Sequence, residues 1–267
     1  MAQQELNARY AAVVEYRGSD FKGWQSQDGE RTVQRCVEQG LSNVAGQPIS
    51  VITAGRTDSG VHATGQVIHF DSPVERTDRA WVMGANTDLP FDIRLRAAQR
   101  VSDDFHARFK AIRRSYRYII LNQREASAVY GQLVTHEYRK INVSAMQKAT
   151  TYLTGENDYS SFRASGCQAR SPVRTITKLE VASAGPWIWI DVVANAFLQH
   201  MVRNLVGVLL TIGAGEEPVE WAKTVLQAKD RTKGGVTGRP EGLYLAKVEY
   251  PTEFAIIMPV PKPVRFW

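Results

Sequence analysis

The chain has few of the residues that build covalent, metal or cofactor sites. It contains two cysteines, Cys36 and Cys167, which lie far apart and form no CxxC pattern. This excludes a disulfide framework and a thiolate zinc site. The five histidines show no HxxxH or Cys/His spacing, and neither a Walker loop nor a GxGxxG motif is present. We therefore expect no metal and no nucleotide cofactor.

Long hydrophobic runs are also missing. The most apolar segment, residues 205–214, is too short to span a bilayer. The first residues lack the apolar core of a signal peptide. The small number of cysteines fits a reducing compartment. Together these features predict a soluble, cytoplasmic protein.

Acidic residues are in the minority. The chain has 33 Lys and Arg against 27 Asp and Glu, which gives a net charge of +6. This imbalance favours an anionic partner but does not identify one. At 267 residues the chain is long enough for one large domain or two ordinary ones. We expect two halves, residues 1–110 and 111–267.

What the chain does have is a glycine-rich stretch at residues 54–66 that carries one carboxylate, Asp58, and one guanidinium, Arg56. The apolar runs on both sides predict strands. A loop held between two strands presents a side chain in a fixed position, so Asp58 is the candidate catalytic residue. Two other interpretations stay open. An Asp beside Gly and Ser is often a turn residue bonded to its own backbone. Residues 58–60 (DSG) also match the aspartic-protease triplet, although a basic chain with Arg56 before the triplet does not suit that chemistry.

The pattern of apolar residues predicts an α+β fold. Strand, helix, strand, glycine-rich loop and strand follow one another, with the helix over 32–45, and this order is typical of a ferredoxin-like unit. The second half repeats the strand–helix–strand rhythm. It includes a helix that we expect to begin with a capping box at Ser144 and to end at Leu153. Prolines at 259, 261 and 263 predict an extended tail.

Aromatic and basic residues are interleaved at two places, a pattern that suits single-stranded nucleic acid. Phe21 and Trp24 flank Gly23, but we expect these two rings to fill the core under a loop. Tyr116 and Tyr118 alternate with arginines on a predicted strand. We prefer Tyr116 as the base-stacking residue because it is nearer the basic end of the strand, and a tyrosine that faces the core is the alternative.

A polar loop after residue 162 holds three arginines and no acid. Uncompensated arginine in such a loop favours phosphate binding over simple solvation. The arginines are Arg163, Arg170 and Arg174.

One arginine lies in an apolar context. Residues 197–213 predict a buried helix, and Arg203 is inside it. A buried guanidinium needs a carboxylate or a phosphate as its partner. Asp58 is the preferred partner, and a structural ion pair with Asp191 or Glu216 is the alternative.

Seven short motifs occur along the chain: GWQ at 23–25, GRTDSGVHA at 55–63, FHARF at 105–109, YRY at 116–118, SFRA at 161–164, MVRN at 201–204 and EGLYL at 241–245. In this order, and over nearly the whole chain, they resemble the tRNA pseudouridine synthase A family. One departure is TGRP at 237–240, where relatives more often carry an Ala/Pro-rich approach to the last motif. The departure leaves the shape of the base pocket's rim open.

The resemblance implies the pseudouridine synthase fold, in which two ferredoxin-like halves form a continuous, mainly antiparallel central sheet with flanking helices. It implies a cofactor-free isomerase, active as a homodimer, that converts uridine to pseudouridine in the anticodon arm of tRNA, at tRNA positions 38–40, after flipping out the base.

The resemblance also implies roles for single residues. Asp58 would be the nucleophile or base, and Arg203 would pair with it. Tyr116 would stack on the target uracil, and Leu245 would close the pocket. The residues expected to bind the tRNA substrate are Arg56, Arg76, Phe105, His106, Ala107, Arg108, Phe109, Tyr116, Arg124, Gln168, Ala169, Arg170 and Leu245.

A protein of a different class, a non-catalytic RNA-binding protein on the same fold, is the alternative. Basic loops and stacking aromatic rings alone would suit such a protein. A carboxylate kept near phosphates would not, because it serves catalysis and opposes binding.

Overall fold

The computed structural model describes residues 8–254, 256 and 264–266. The chain divides into two compact units, residues 1–112 with 245–262 and residues 113–244 with 263–267. The domain boundary at residue 110 stays a prediction; the first break between the compact units falls between Ile112 and Arg113. The predicted tail at Pro259, Pro261 and Pro263 lies outside the described residues.

The first unit has the element order of a ferredoxin-like fold. Its elements are β1 (Ala8–Tyr16), α1 (Val33–Ala45), β2 (Ile52–Thr53), β3 (His62–Ser72), α2 (Asp78–Asp88) and β4 (Ile93–Arg100). Strand β1 pairs antiparallel with both β3 and β4, and β2 pairs antiparallel with β3, so that the order across this part of the sheet is β4-β1-β3-β2.

Helix α1 follows from its apolar spacing. Val33, Val37 and Leu41 recur at helical intervals and all three are buried. The helix ends at Gly46, whose φ of 71° is left-handed and favours glycine. Close packing with α2 depends on a second glycine, since a Cβ on Gly84 would lie 2.7 Å from a methyl carbon of Val44.

The second unit is also built of strands and helices. Its elements are β5 (Arg113–Asn122), β6 (Thr135–Glu137), α3 (Val143–Leu153), β7 (Gly155–Asp158), β8 (Val173–Ala184), β9 (Trp187–Ala194), α4 (Met201–Gly213) and α5 (Trp221–Ala228). Strand β9 pairs antiparallel with β5 and β8, β8 pairs antiparallel with β7, and β6 runs parallel to β5. The expected α+β class, with mainly antiparallel strands and flanking helices, is confirmed.

Two predicted helix starts were wrong. Helix α3 is capped by Asn142, whose side chain accepts a hydrogen bond from the amide of Ala145 at 3.1 Å, so Ser144 lies inside the helix and forms no capping box. Helix α4 begins at Met201, not at 197, because His200 has a left-handed φ of 61° that interrupts helical geometry.

The last described strand, β10 (Leu243–Glu249), begins in the second unit and continues in the first. Within the part of the chain that is described, no helix is both long and apolar enough to cross a bilayer.

We predict that Gly207→Ala lowers the free energy of unfolding by about 1–3 kcal/mol. A Cβ on Gly207 would lie 1.9 Å from the carbonyl oxygen of Val236, so α4 or the loop that contains Val236 must move. Urea unfolding measures the loss. Gly166→Ala is the matched control, because the nearest atom to its Cβ is Gln199 Oε1 at 3.8 Å. Equal stability of the two variants would contradict the prediction.

Candidate functional site

The glycine-rich loop lies between β2 and β3 in the first unit. Asp58 is half-buried there, whereas Arg56 is exposed and Thr57 is buried. The amide of Val61 donates a hydrogen bond to the carbonyl oxygen of Asp58 at 3.1 Å, which closes a tight turn. The backbone of Asp58 therefore belongs to a turn.

The segment before α1 holds this loop from one side. The amide of Trp24 donates to the carbonyl oxygen of Thr57 at 3.0 Å. Gly23 has a φ of 86°, and a Cβ on it would lie 2.7 Å from that same carbonyl oxygen and 3.1 Å from the carbonyl carbon of Asp58. The two backbones can approach this closely because position 23 is glycine.

Further contacts fix the residues just after Asp58. The amide of Gly60 and the hydroxyl of Ser59 donate to the carbonyl oxygen of Phe21 at 3.4 and 3.1 Å. A Cβ on Gly18 would lie 1.9 Å from the carbonyl oxygen of Val61, so this contact also requires glycine. Residues 57–61 are therefore bonded or packed to residues 18–24 along their length.

A buried polar network binds the loop at Gly55 and Thr57. The hydroxyls of Tyr16 and Thr57 are 2.7 Å apart, and Gln66 Nε2 donates to the carbonyl oxygen of Gly55 at 2.6 Å. Gln66 Nε2 also lies 3.4 Å from the Tyr16 hydroxyl. Each of these three side chains is less than one-tenth exposed. Buried hydrogen bonds of this kind are costly to break, which rigidifies the backbone on the N-terminal side of Asp58.

The expectation that Phe21 and Trp24 fill the core is confirmed. Phe21 is 2% exposed and Trp24 is 1% exposed. The guanidinium of Arg31 covers the Phe21 ring at 3.9 Å. Neither ring is available to stack on a nucleotide.

Residues 105–109 form a short irregular segment of the first unit. Phe105 and Ala107 are buried, so they anchor the segment, whereas Arg108 and Phe109 are exposed. His106 is half-buried and its ring lies 4.4 Å from that of Phe109. This alternation exposes the guanidinium of Arg108 and the ring of Phe109 to solvent, and both groups suit RNA binding.

His69 on β3 lies behind this segment. Its Nδ1 accepts a hydrogen bond from the amide of Ala107 at 3.1 Å. Burial, and to a smaller extent the neighbouring His106 and Arg9, lower the pKa of His69 to about 4, against the opposing effect of Asp71. The imidazole is therefore neutral at physiological pH, with its proton on Nε2.

The two tyrosines of β5 lie in different environments. Tyr118 is fully buried, with its hydroxyl 2.6 Å from Thr135 Oγ1 and 2.8 Å from the carbonyl oxygen of Arg239. Burial raises the pKa of Tyr118 well above its usual value. Tyr116 is half-buried and meets Phe197 edge-on at 5.0 Å. Tyr118 thus belongs to the core, and the stacking role of Tyr116 stays a prediction.

Arg203 on α4 is half-buried, less deeply than the sequence predicted. Its Nε donates to the carbonyl oxygen of Gly238 at 2.7 Å, and the amide of Gly238 donates back to the carbonyl oxygen of Arg203 at 2.9 Å. A chain of side chains supports this contact, with Arg231 donating to Thr237 Oγ1 at 2.8 Å and Thr237 donating to Asn204 Oδ1 at 2.7 Å.

The two alternative partners that the sequence offered to Arg203 are bonded to other arginines. Asp191 accepts from Arg117 through both oxygens at 2.7 Å. Glu216 accepts from Arg139 at 2.7 Å. The pairing of Arg203 with Asp58 stays a prediction.

The basic loop of the second unit uses part of its charge internally. Arg163 donates to the carbonyl oxygens of Cys167 and Ala169, and Arg174 donates to that of Ser171 at 2.9 Å. Burial lowers the pKa of Arg174. In contrast, Arg170 is exposed. Two of the three arginines therefore shape the loop, and Arg170 is the one best placed to reach a phosphate.

The remaining predicted site residues differ in their exposure to solvent. Arg76 and Gln168 are exposed. Arg124 is also exposed and its Nε lies 3.9 Å from Glu125 Oε1. Leu245 on β10 is fully buried. No cluster of three or more metal-ligating side chains occurs within the described ranges.

Sequence reasoning missed the polar residues that hold these segments. Tyr16, Gln66 and His69 all lie on strands and are buried. The available signal was a polar residue inside or next to an apolar strand run, as at Gln66 and His69, since such a side chain needs a buried partner. The pattern does not reveal which backbone group that partner is.

Comparisons with known proteins place these features in context. A family model described as tRNA pseudouridine synthase matches residues 12–110 and 149–251. The tRNA pseudouridine synthase A of Nitrosococcus oceani is 53% identical over 259 residues, covering 97% of this chain and all of the relative. That of Pseudomonas aeruginosa is 51% identical over 250 residues, covering 93% of this chain and 88% of the relative. That of an Enterobacter species is 50% identical over 265 residues, covering 98% and 97%.

We predict that His69 makes the fold acid-labile. Because its pKa is lower in the folded chain than in the unfolded one, the unfolded chain binds the proton more readily. The contribution of neutral His69 to the free energy of unfolding is therefore fully present above pH 6.5 and is lost as the pH falls toward 4. Between pH 7 and 4.5 the native chain should lose about 1–2 kcal/mol more unfolding free energy than His69→Asn. Urea unfolding at several pH values measures the difference, and parallel curves for the two proteins would contradict it.

Proposed function

Since the chain belongs to the tRNA pseudouridine synthase family, we propose that it isomerises uridine to pseudouridine in the anticodon arm of tRNA, at positions 38–40. The observation that carries the proposal is the loop around Asp58, which is held by backbone contacts and a buried network while the carboxylate residue itself remains partly exposed. Fixed position is what a catalytic carboxylate requires.

The reaction needs no outside reactant. The bond between N1 of uracil and C1′ of ribose breaks, the uracil turns, and a bond from C5 to C1′ forms; C5 loses its proton to solvent and N1 gains one, so the product is an isomer of the substrate. Asp58 is the nucleophile or base that allows the first bond to break. The proposed sequence exchanges only a proton with solvent, so it includes no step for a metal or a cofactor.

The target uridine must leave the stem before Asp58 can reach its sugar, at a cost of a few kcal/mol. Exposed Arg56, two residues from Asp58, is placed to fill the vacated space or to hold the flanking phosphate. Tyr116 stacks on the uracil, and Leu245 contributes an apolar wall that retains the detached base. Arg203 pairs with Asp58 and holds its carboxylate in position. Each of these roles is part of the proposal.

The tRNA itself binds through exposed basic and aromatic residues. Arg108 and Phe109 present charge and a ring face, and Arg170 presents charge on the basic loop. Two copies of the chain act together as a homodimer, and the substrate places the enzyme in the cytoplasm.

We predict that Asp58→Asn lowers turnover at least a thousandfold, which is about 4 kcal/mol, and leaves the Kd for tRNA within about threefold. The carboxylate is lost but the loop contacts made by residues 57–61 remain. Release of tritium from tRNA that contains 5-tritiated uridine measures turnover, and nucleoside analysis identifies the product.

Asp28→Asn is the control, because Asp28 is an exposed carboxylate in a loop of the same unit. Substantial turnover by Asp58→Asn would remove Asp58 from the chemistry. Tight tRNA binding by the native chain without any pseudouridine would favour the alternative, a non-catalytic RNA-binding protein.

We predict that Arg170→Ala weakens tRNA binding and lowers the slope of log K against log salt concentration by about one, as expected for one lost phosphate contact. Titrations at several salt concentrations measure the slope. Arg35→Ala is the matched control because Arg35 is exposed on α1, away from the predicted contacts. An unchanged slope would mean that Arg170 does not contact phosphate.

A further inference from the structure

We infer that His69 is a positioning residue for the tRNA-contacting segment 105–109. This inference rests on the proposed function, because it assigns to His69 the task of holding residues that the proposal brings to the tRNA. His69 itself is 3% exposed, so it acts through the segment and not by contact with RNA.

The position of His69 is set by the sheet. It lies on β3, where it is paired with Ala11 of β1 on one side and with Ile52 of β2 on the other. A residue bonded within a sheet on both sides has little freedom of backbone movement. Its Nδ1 accepts from the buried amide of Ala107 at 3.1 Å, so the sheet and the segment are joined at one defined atom.

The rest of the segment is fixed mainly through its carbonyl groups. Arg9 donates to the carbonyl oxygen of Phe105 at 3.0 Å and is itself held by both oxygens of Asp71, at 2.7 and 2.8 Å. The hydroxyl of Tyr250 donates to the carbonyl oxygen of Ala107 at 2.7 Å. His69 differs from these groups because it is an acceptor for an amide in the middle of the segment.

Movement at Ala107 would be transmitted to the exposed residues. His106 Nδ1 accepts from the amides of Arg108 and Phe109 at 3.1 and 3.2 Å. The His106 ring lies 4.7 Å from the His69 ring and 4.4 Å from the Phe109 ring, and the Arg108 guanidinium lies 5.6 Å from the Phe109 ring. His69 therefore supports a stack whose outer members are the proposed RNA contacts.

Three substitutions of His69 separate the effect of the acceptor atom's position from the effect of side-chain size. In His69→Asn, Oδ1 occupies nearly the place of Nδ1 and can accept from Ala107. In His69→Gln, the acceptor is one bond further from the backbone and cannot occupy that place. In His69→Leu, no acceptor remains and the buried amide is left without its partner.

The experiment measures KM and kcat on unmodified tRNA, the salt dependence of tRNA binding, and hydrogen–deuterium exchange over residues 105–109, with thermal unfolding of each full-length variant. We expect His69→Leu and His69→Gln to raise KM about tenfold with kcat within twofold, to lower the salt slope by about one, and to speed exchange in the segment. His69→Asn should stay within about threefold of the native KM, with native exchange.

If His69→Leu does not fold, the comparison of His69→Asn with His69→Gln tests the inference. Native KM, salt slope and exchange in His69→Gln would overturn the inference, as would a loss confined to kcat or an equal loss in His69→Asn. Failure of the proposed function is distinguishable, because a native chain that makes no pseudouridine leaves the exchange comparison intact.

Discussion

The close approach of two backbones is the constraint on which the candidate site depends. Residues 18–24 run against residues 57–61, and the contact requires glycine at both Gly18 and Gly23 because a Cβ at either position would collide with a carbonyl oxygen. Such contacts leave almost no alternative path for the loop. The backbone conformation around Asp58 is thus set largely by its contacts with the backbone of residues 18–24.

Strand β3 connects this loop to the segment at 105–109 within the first unit. Gln66 reaches the carbonyl oxygen of Gly55, and His69, three residues further along, reaches the amide of Ala107. Both side chains are buried, and both satisfy backbone groups of irregular segments that have no strand partner at those atoms. One strand therefore fixes two loops, and a shift of its register by one residue would turn both side chains away from their partners.

Much of the fold could be predicted from periodicity, because the strand and helix order of the first unit follows from where apolar residues recur. Core placement of Phe21 and Trp24 was also predictable. The errors concern local bonds that spacing does not encode. Asn142 in place of Ser144 caps α3, and the left-handed His200 delays α4. For the same reason, arginine content alone could not show that Arg163 donates hydrogen bonds to carbonyl oxygens of its own loop.

Two residues of the segment 237–240, which we expect to depart from the family pattern, bind Arg203 and Asn204 in the second unit. Thr237 is the residue whose hydroxyl links Arg231 to Asn204, and its neighbour Gly238 exchanges two hydrogen bonds with Arg203. An alanine or proline at 237 would provide no hydroxyl for this link. Since Asn204 also donates to the carbonyl oxygen of Phe162 at 2.8 Å, the threonine completes a partly buried chain of hydrogen bonds from Arg231 to Phe162. Hydrogen bonding at Thr237 and Gly238 thus acts at a point that orients Arg203, and the proposed chemistry requires that arginine to be oriented.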